Sequence, residues 1–270
     1  MCECSPVDKS KTTVSVSTRR ESRPHEITRL ARQIVDAALD RDLVFKLAGG
    51  VACWEHCPLS RRIVKNADRI FNDVDYVAHF RDKDRVAELL TDFGFREDPR
   101  TATVPGLRRT LFVSSRFHWR VDVAYDVLEF SHVLDLRERL ELDHPTIPLA
   151  ELLLQKMQIV QLNPKDVADA QMLLLEHDIG HKDREVINAP HIARLCASDW
   201  GLWRTVTTNL AKLANLTACD KTLGRQDRST IERRATRVLE YIMREPKGLR
   251  WKLRALVGER VRWHNQVEEL

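Results

Sequence analysis

Two aspartates that alternate with apolar residues constrain the fold of this chain more than any other feature. Asp73 and Asp75 lie in the segment NDVDYV, residues 72–77. The alternation favours a β-strand, in which side chains two residues apart point to the same face. Two carboxylates on one face repel each other unless a cation lies between them. Because hard oxygen ligands suit Mg²⁺, the pair indicates a strand whose acidic face binds a metal ion, and the alternative is a solvated strand edge or cap.

A third aspartate follows in another apolar segment. Asp122 lies in WRVDV, residues 119–123, and would complete a set of three carboxylates. Asp126 is the alternative for this position, although it lies beyond the apolar part of the segment. Carboxylates arranged in this way can hold paired metal ions, which drive in-line phosphoryl or nucleotidyl transfer.

A glycine pair precedes the aspartates. Gly49 and Gly50 directly follow the apolar segment 43–48. Glycines after a strand let the backbone approach phosphate oxygens, and the N-terminus of a following helix adds amide donors. The pair therefore indicates either a phosphate-binding turn or an ordinary turn.

Hydrophobic periodicity predicts an α/β fold, with a small mixed sheet and its helices over residues 26–148 and an all-helical C-terminal domain over residues 149–270. Residues 1–25 are rich in Ser, Thr, Lys and Arg and lack an apolar period, which predicts a disordered tail. Asn163 and Pro164 predict a helix start, because asparagine caps a helix and proline fits its first turn. The predicted strands are 43–48, 73–80, 110–114 and 118–123, and the predicted helices are 26–38, 51–57, 84–93, 149–162, 165–177, 190–197, 199–215, 228–244 and 248–266.

The order and spacing of these segments resemble the nucleotidyltransferase superfamily, whose fold is shared with DNA polymerase β. They are most similar to the AbiEii-type toxin nucleotidyltransferases and their uncharacterised relatives. The resemblance covers residues 43–178, about half of the chain. The matching segments are LAGGVA at 47–52, RIFNDVD at 69–75, Asp122, LLLQK at 152–156 and KDVAD at 165–169.

The resemblance implies a nucleotidyltransferase core that joins an NTP to an acceptor hydroxyl and releases pyrophosphate, with two Mg²⁺ ions. ATP is among the expected NTPs. By resemblance, Asp73 and Asp75 would hold both metal ions, and Asp122 would share the ion that activates the hydroxyl. The residues implied for nucleotide binding are Gly49, Gly50, Arg69, Lys156, Lys165, Asp166 and Asp169.

Lys156 and two later aspartates also have interpretations that do not depend on the resemblance. Lys156 lies inside an apolar run, where an ammonium is costly to bury unless it is paired. It either reaches solvent or contacts a phosphate of a ligand. Asp166 and Asp169 share a helix face by their spacing, which also places them where the positive end of the helix favours acids.

Two positions depart from the pattern of the relatives. Val51 follows the glycine pair, where family members often have Ser or Thr, and Phe71 stands where many have Ser or Thr. These departures keep an alternative open, namely a nucleotide-binding regulatory protein that has lost catalysis.

Positive charge is concentrated near the C-terminus. The chain has a formal net charge of +4, but residues 221–262 contain 13 Lys and Arg against 5 Asp and Glu, a net +8. Basic helices beside an acidic core indicate either a polyanionic partner or a solvated basic surface. The expected acceptor is RNA, such as a tRNA end as in the toxin relatives, with a cognate antitoxin as a further partner. The alternative acceptor is a small molecule, as in aminoglycoside-modifying relatives.

Cysteines, tryptophans and apolar runs carry weaker signals. Six cysteines form neither a disulfide framework nor a zinc-site spacing, so free thiols in a reducing cytoplasm are expected. The N-terminus lacks a signal-peptide pattern, and no apolar run reaches the ~18 residues that span a membrane, so no membrane partner is expected. Four tryptophans at helical spacing indicate either core residues or base-stacking platforms: Trp200, Trp203, Trp251 and Trp263.

Overall fold

A mixed five-stranded sheet forms the centre of the first half of the chain. The computed structural model of the protein describes residues 15–64, 71–102 and 108–266. The strands of the sheet are β1 (Phe45–Ala48), β2 (Asp73–Ala78), β3 (Arg96–Glu97), β4 (Arg109–Val113) and β5 (Arg120–Tyr125). They lie in the order β1-β2-β5-β4-β3, with β2 and β5 parallel and the other neighbours antiparallel.

The parallel pairing of β2 with β5 fixes the positions of the aspartates. Asp75 is aligned with Asp122, and Asp73 is aligned with Arg120. Because aligned residues on neighbouring strands project from the same face, this register brings Asp75 and Asp122 together. The alternate side chains of β2 are buried on the opposite face, as the sequence pattern predicts: Val74, Tyr76 and Ala78.

Helices accompany the sheet and make up most of the chain after Pro148. In the first half they are α1 (Ser15–Leu39), α2 (Gly49–His56), α3 (Lys83–Asp92) and α4 (Pro99–Ala102). In the second half they are α5 (Leu149–Met157), α6 (Pro164–Glu176), α7 (Ala189–Ser198), α8 (Trp200–Cys219), α9 (Arg225–Arg244) and α10 (Leu249–Val257). Buried apolar side chains from both halves, from Ile27 to Ile242, belong to one cluster. The predicted fold class, a small mixed sheet followed by a helical region, is confirmed.

Two short strand pairs are absent from the sequence prediction. They are antiparallel β6 (Val127–Glu129) with β7 (Val133–Asp135), and parallel β8 (Asp178–Gly180) with β9 (Val186–Asn188). Three-residue strands are too short to show a period of two in a sequence. The β8–β9 pair interrupts the helical region, and Gly180 lies in β8.

Side-chain caps define two helix ends that border the candidate site. The side chain of Asn163 accepts a hydrogen bond from the N–H of Asp166 at 2.9 Å, which confirms the predicted start of α6. In contrast, α5 ends at Met157, earlier than predicted. Nδ2 of Asn209 on α8 donates to the carbonyls of Met157 at 2.9 Å and Ile159 at 2.6 Å. A contact from another helix therefore satisfies the carbonyl groups that a longer α5 would have used itself.

The first helix begins earlier than the sequence predicts. α1 begins at Ser15, whereas the sequence predicted a helix from residue 26, and residues 1–14 lie outside the described part. The disordered tail predicted over residues 1–25 stays a prediction. A helix that has been nucleated extends through polar residues at little cost, because propagation is far easier than nucleation. Of the five apolar positions with helical spacing in this segment, Leu30 is partly buried and the other four are buried: Ile27, Ile34, Val35 and Ala38.

The described cysteines are free thiols, as predicted. Cys53, Cys57 and Cys196 are buried and Cys219 is exposed. Burial raises the pKa of Cys57 to about 12, so this thiol stays protonated at neutral pH. Among the described residues, no helix has the length and apolar character needed to cross a membrane.

His56 makes the stability of the fold depend on pH. Its Nε2 lies 2.6 Å from Oγ1 of Thr146 and 3.9 Å from Oδ2 of Asp143, and its ring lies edge-on to His177 at 5.6 Å. Burial, and then the neighbouring His177, lower the pKa of His56 from 6.5 to about 4, against a smaller opposing effect of Glu176. Between these two pH values the unfolded state binds a proton that the folded state does not.

We expect this one group to reduce the free energy of unfolding by about 3 kcal/mol as the pH falls from 6.5 to 4. Urea denaturation across this range, on the parent and on His56→Gln, measures the effect. The variant keeps a neutral hydrogen-bonding side chain, so its stability should fall less steeply than that of the parent. Parallel curves for the two proteins would show that another group is responsible.

Candidate active site

The acidic faces of β2 and β5 open into one cleft of about 780 Å³. Asp73 and Asp75 are half-buried there, and Asp122 is buried. Lys156 of α5 and Asp166 of α6 line the same cleft. The structure therefore brings together residues from four separate segments that the sequence assigned to one site.

Gly49 is required by the close approach of the backbone to Asp75. Its φ is +65°, a conformation that favours glycine. A Cβ at this position would lie 1.8 Å from Oδ2 of Asp75. The N–H of Gly49 donates to Oε1 of Gln155 on α5 at 2.9 Å. Gly49 and Gly50 begin α2, and the missing side chain of Gly49 leaves room for Asp75. The predicted contact of the two glycines with phosphates stays a prediction.

We expect Gly49→Ala to displace the carboxylate of Asp75 and to reduce any catalysis in this cleft by about 100-fold, the effect of moving a reacting group by about 1 Å. Gly94→Ala is the matched control, because Gly94 has φ +85° but nothing within 4 Å of an added Cβ. Both variants carry backbone strain of roughly 1–2 kcal/mol. Urea denaturation measures the loss of unfolding free energy that this strain causes in both variants. Only Gly49→Ala should also lose activity. Equal activity in the two variants would contradict the predicted clash between the added Cβ and Asp75.

Arg109 of β4 binds Asp122, a contact that the sequence analysis missed. Nε of Arg109 lies 2.8 Å and 2.9 Å from the two carboxylate oxygens, and Nη2 also contacts Oδ2. The antiparallel register aligns Arg109 with Ala124, which places it diagonally from Asp122. The sequence shows an arginine just before the predicted strand 110–114. Whether this arginine reaches Asp122 depends on the register between the two strands, which the sequence does not reveal.

Asp126, the alternative to Asp122, does not line the cleft. It has φ +62° directly after β5. Its carboxylate accepts a hydrogen bond from the N–H of Phe80 at 3.3 Å and pairs with Arg108 at 3.0 Å. Asp122 is therefore the third carboxylate of the cleft.

The charge of Asp75 is unfavourable in this structure. Burial, and then the charges of Asp122 and Asp73, raise the pKa of Asp75 to about 7. Lys156 and Arg109 act in the opposite direction but do not cancel the effect. The site thus holds more negative charge than its neighbours compensate, which a bound cation would relieve.

Lys156 is buried and paired with carboxylates. Its Nζ lies 3.0 Å from Oδ2 of Asp169 and 3.5 Å from Oδ1 of Asp166. Burial by itself lowers the pKa of Lys156, but the neighbouring carboxylates, Asp169 foremost, raise it above the ordinary lysine value. The side chain therefore does not reach out to solvent. Its predicted contact with phosphates stays a prediction.

Several positions singled out from the sequence do not line the cleft. Lys165 is exposed on α6. Val51 and Phe71, the two departures from the relatives, are buried in the core, where the ring of Phe71 meets that of Trp54 edge-on at 6.0 Å. Arg69 lies outside the described residues.

The C-terminal segment forms a wall of the cleft that the sequence analysis did not predict. The N–H of Asn265 donates to the carbonyl of Ser131 at 2.9 Å, which holds this segment beside the sheet. The basic charge of residues 221–262 was the available signal, but it does not reveal which side chains reach the site. Those that line the cleft from this segment are Arg262, His264, Asn265 and Gln266.

The carboxylates suit a hard cation, although Asp122 is already engaged. Among the described residues, no group of three or more His, Cys, Asp or Glu is arranged to hold a metal ion. Asp73 and Asp75 offer oxygen ligands on one face of the sheet, which is the chemistry that Mg²⁺ prefers. A cation bound by Asp122 as well would compete with the guanidinium of Arg109. Asp73 and Asp75 therefore fit Mg²⁺ by themselves, whereas a site with Asp122 as the third ligand would require Arg109 to move away.

Comparisons with known proteins assign no family to the chain. No family model matches it, and no curated protein matches it. Among solved structures it is similar to the solution structure of the antibiotic-resistance factor ANT(2″)-Ia, at 13% sequence identity and a TM-score of 0.40. That match covers 65% of this chain and 96% of the other.

Proposed function

We propose that the protein is a Mg²⁺-dependent nucleotidyltransferase that moves NMP from an NTP to an acceptor hydroxyl and releases pyrophosphate. The observation that carries this proposal is the β2–β5 register, which places Asp73, Asp75 and Asp122 on one cleft. The cleft volume of about 780 Å³ is within the range of small-molecule sites and gives room for a nucleotide.

The position of each side chain suggests its role. Asp73 and Asp75 would hold two Mg²⁺ ions together with Asp122, and such ions, when bound, neutralise phosphate charge and make a hydroxyl more acidic. Asp122 would accept the proton of the acceptor hydroxyl once Arg109, which pairs with both of its carboxylate oxygens, has moved away. For the nucleotide, including ATP, we propose Gly49, Gly50, Lys156, Asp166 and Asp169. Two further residues are proposed on the resemblance alone: Lys165, which is exposed outside the cleft, and Arg69, which lies outside the described residues.

An RNA acceptor, such as a tRNA end, is the finer form of the proposal. Part of the C-terminal positive charge is used within the protein, since Nη1 of Arg234 donates to the carbonyl of Leu174 at 3.0 Å. Arg233 and Arg237 are exposed on α9, and Arg262 extends the positive surface into the cleft. An acceptor bound through phosphates would be released by salt, whereas the alternative small-molecule acceptor would not. With an RNA acceptor, a cognate antitoxin is the further partner to look for.

A second candidate function is a nucleotide-binding regulatory protein without catalysis. The contact of Arg109 with Asp122 favours this candidate, because the guanidinium competes with a cation for the third carboxylate. Nucleotide and Mg²⁺ would then bind without release of pyrophosphate.

The deciding experiment incubates the protein with each α-labelled NTP, Mg²⁺ and either total cellular RNA or a small-molecule extract, at several salt concentrations. Label in RNA that declines steeply with salt supports the RNA acceptor, and label in small molecules supports the alternative. Calorimetry with Mg²⁺–NTP is run in parallel. Binding without transfer indicates the regulatory protein, and the absence of both binding and transfer refutes the nucleotidyltransferase proposal.

A further inference from the structure

A second pocket of about 610 Å³ lies on the other side of the C-terminal segment. It shares Ser131, Arg262, His264 and Asn265 with the cleft, so one stretch of backbone separates the two spaces. We call it the tryptophan–arginine pocket after the six side chains that characterise its lining: Trp200, Trp251, Trp263, Arg250, Arg254 and Arg262.

The fold holds the walls of this pocket in place through specific contacts. A Cβ on Gly201 would lie 2.5 Å from the carbonyl oxygen of Trp263, so the C-terminal segment packs directly on the start of α8. Nε1 of Trp263 donates to Oγ1 of Thr205 at 3.3 Å. Nε1 of Trp251 donates to the carbonyl of Cys196 at 3.0 Å, which ties α10 to α7. The pocket is therefore a product of tertiary packing and not a chance gap beside a loose tail.

The arginines of the pocket fall into two groups. Arg254 belongs to the wall, because its guanidinium donates to the carbonyls of Gly258 and Val261 and lies 4.5 Å from the ring centre of Trp200. Arg250 and Arg262 are exposed, and their guanidinium groups are available to a ligand. These two side chains give the pocket its capacity to bind an anion.

Positive charge is only partly balanced at this place. Asp199 also lines the pocket, but its Oδ1 accepts a hydrogen bond from the N–H of Leu202 at 3.1 Å and so caps α8. Three arginines against one carboxylate leave a net positive lining. Guanidinium groups bind phosphate through paired hydrogen bonds, and indole and guanidinium planes stack on nucleobases. Inorganic phosphate would use only the arginines, and an uncharged aromatic ligand would use only the tryptophans.

We propose that the tryptophan–arginine pocket binds a nucleoside phosphate, with its phosphate on Arg250 and Arg262 and its base against the exposed part of Trp251 or Trp263. The ligand is either a free nucleotide or one nucleotide of a single-stranded oligonucleotide. This site is separate from the proposed NTP site and contains none of its aspartates, so its binding requires no Mg²⁺. The shared wall places the bound ligand next to the cleft.

The test measures binding by calorimetry, without Mg²⁺, of AMP, a 5′-phosphorylated dinucleotide, inorganic phosphate and glucose 6-phosphate. AMP or the dinucleotide should bind at least about tenfold more tightly than either ligand that lacks a base. Equal affinity of AMP and the dinucleotide identifies a free nucleotide as the ligand, and tighter binding of the dinucleotide identifies an oligonucleotide. In NMR spectra the indole N–H signals of Trp251 and Trp263 should shift.

Arg250→Gln should weaken this binding by about tenfold, the loss of one charge-assisted contact. Lys252→Gln is the matched control, since Lys252 is exposed on the same helix but does not line the pocket. Unchanged affinity in Arg250→Gln, equal affinity for glucose 6-phosphate, or absence of AMP and dinucleotide binding at millimolar concentration overturns the proposal. Asp75→Asn should leave this binding unchanged, so the result stands whether or not the protein transfers nucleotides.

Discussion

Asp75→Asn is expected to reduce nucleotidyl transfer by roughly a thousandfold without unfolding the protein. Asp75 lies between Asp73 on its own strand and Asp122 on the next, so the substitution removes the central ligand of the proposed metal site. A bound cation contributes several kcal/mol to stabilising the transition state, which corresponds to this factor. In the absence of Mg²⁺ the variant should melt at a higher temperature than the parent, because carboxylate repulsion is relieved.

Asp126→Asn is the matched control for this prediction. Asp126 follows β5 but lies outside the cleft, and asparagine tolerates its φ of +62°. Transfer of labelled NMP and thermal melting with and without Mg²⁺ are measured on the parent and both variants. The control should keep its transfer activity. Full transfer by Asp75→Asn would refute the proposed role of the carboxylates.

Lys156→Met is expected to destabilise the protein by about 3–5 kcal/mol, the cost of removing one partner from a buried ion pair. Methionine has a similar length, but it leaves Asp169, which is 1% exposed, without the ammonium at 3.0 Å that compensates its charge. Urea denaturation measures the loss. Weaker nucleotide binding by the single variant would therefore have two causes, the loss of a phosphate contact and the destabilisation of the fold.

The double variant Lys156→Met/Asp169→Asn separates these effects. Removing both charges should recover much of the stability, and the two substitutions should be clearly non-additive because the side chains touch. The nucleotide affinity of this double variant, compared with that of Asp169→Asn alone, then reports the contribution of Lys156 to phosphate binding. Lys165→Met is the surface control and should change the free energy of unfolding by less than about 0.5 kcal/mol, since Lys165 is exposed. A loss below about 1 kcal/mol in Lys156→Met would contradict the buried pair.

Local sequence signals determined much of the fold. The alternation around Asp73 and Asp75 predicted a strand with one buried face, and Asn163 predicted the start of α6. Gly94 follows the predicted helix 84–93, and its φ of +85° is the left-handed conformation that commonly ends a helix. Caps and helix ends depend on interactions between residues a few positions apart, and strands and helices that pack on a core have apolar residues at regular intervals. Both kinds of feature can therefore be recognised in the sequence. Strands as short as β6 contain too few residues to show such a period.

The candidate site was only partly determined in this way. The sequence showed that Asp73 and Asp75 share a face and singled out Asp122, but the β2–β5 register decided that the three line one cleft. The partners of Asp122 and Lys156, and the C-terminal wall of the cleft, were decided by tertiary packing alone. These contacts join residues from different elements, and the C-terminal wall is held by a hydrogen bond between residues as far apart in the chain as Ser131 and Asn265. Their free energy depends on geometry that no local pattern encodes, because a charged side chain becomes buried and paired only after distant segments have packed together.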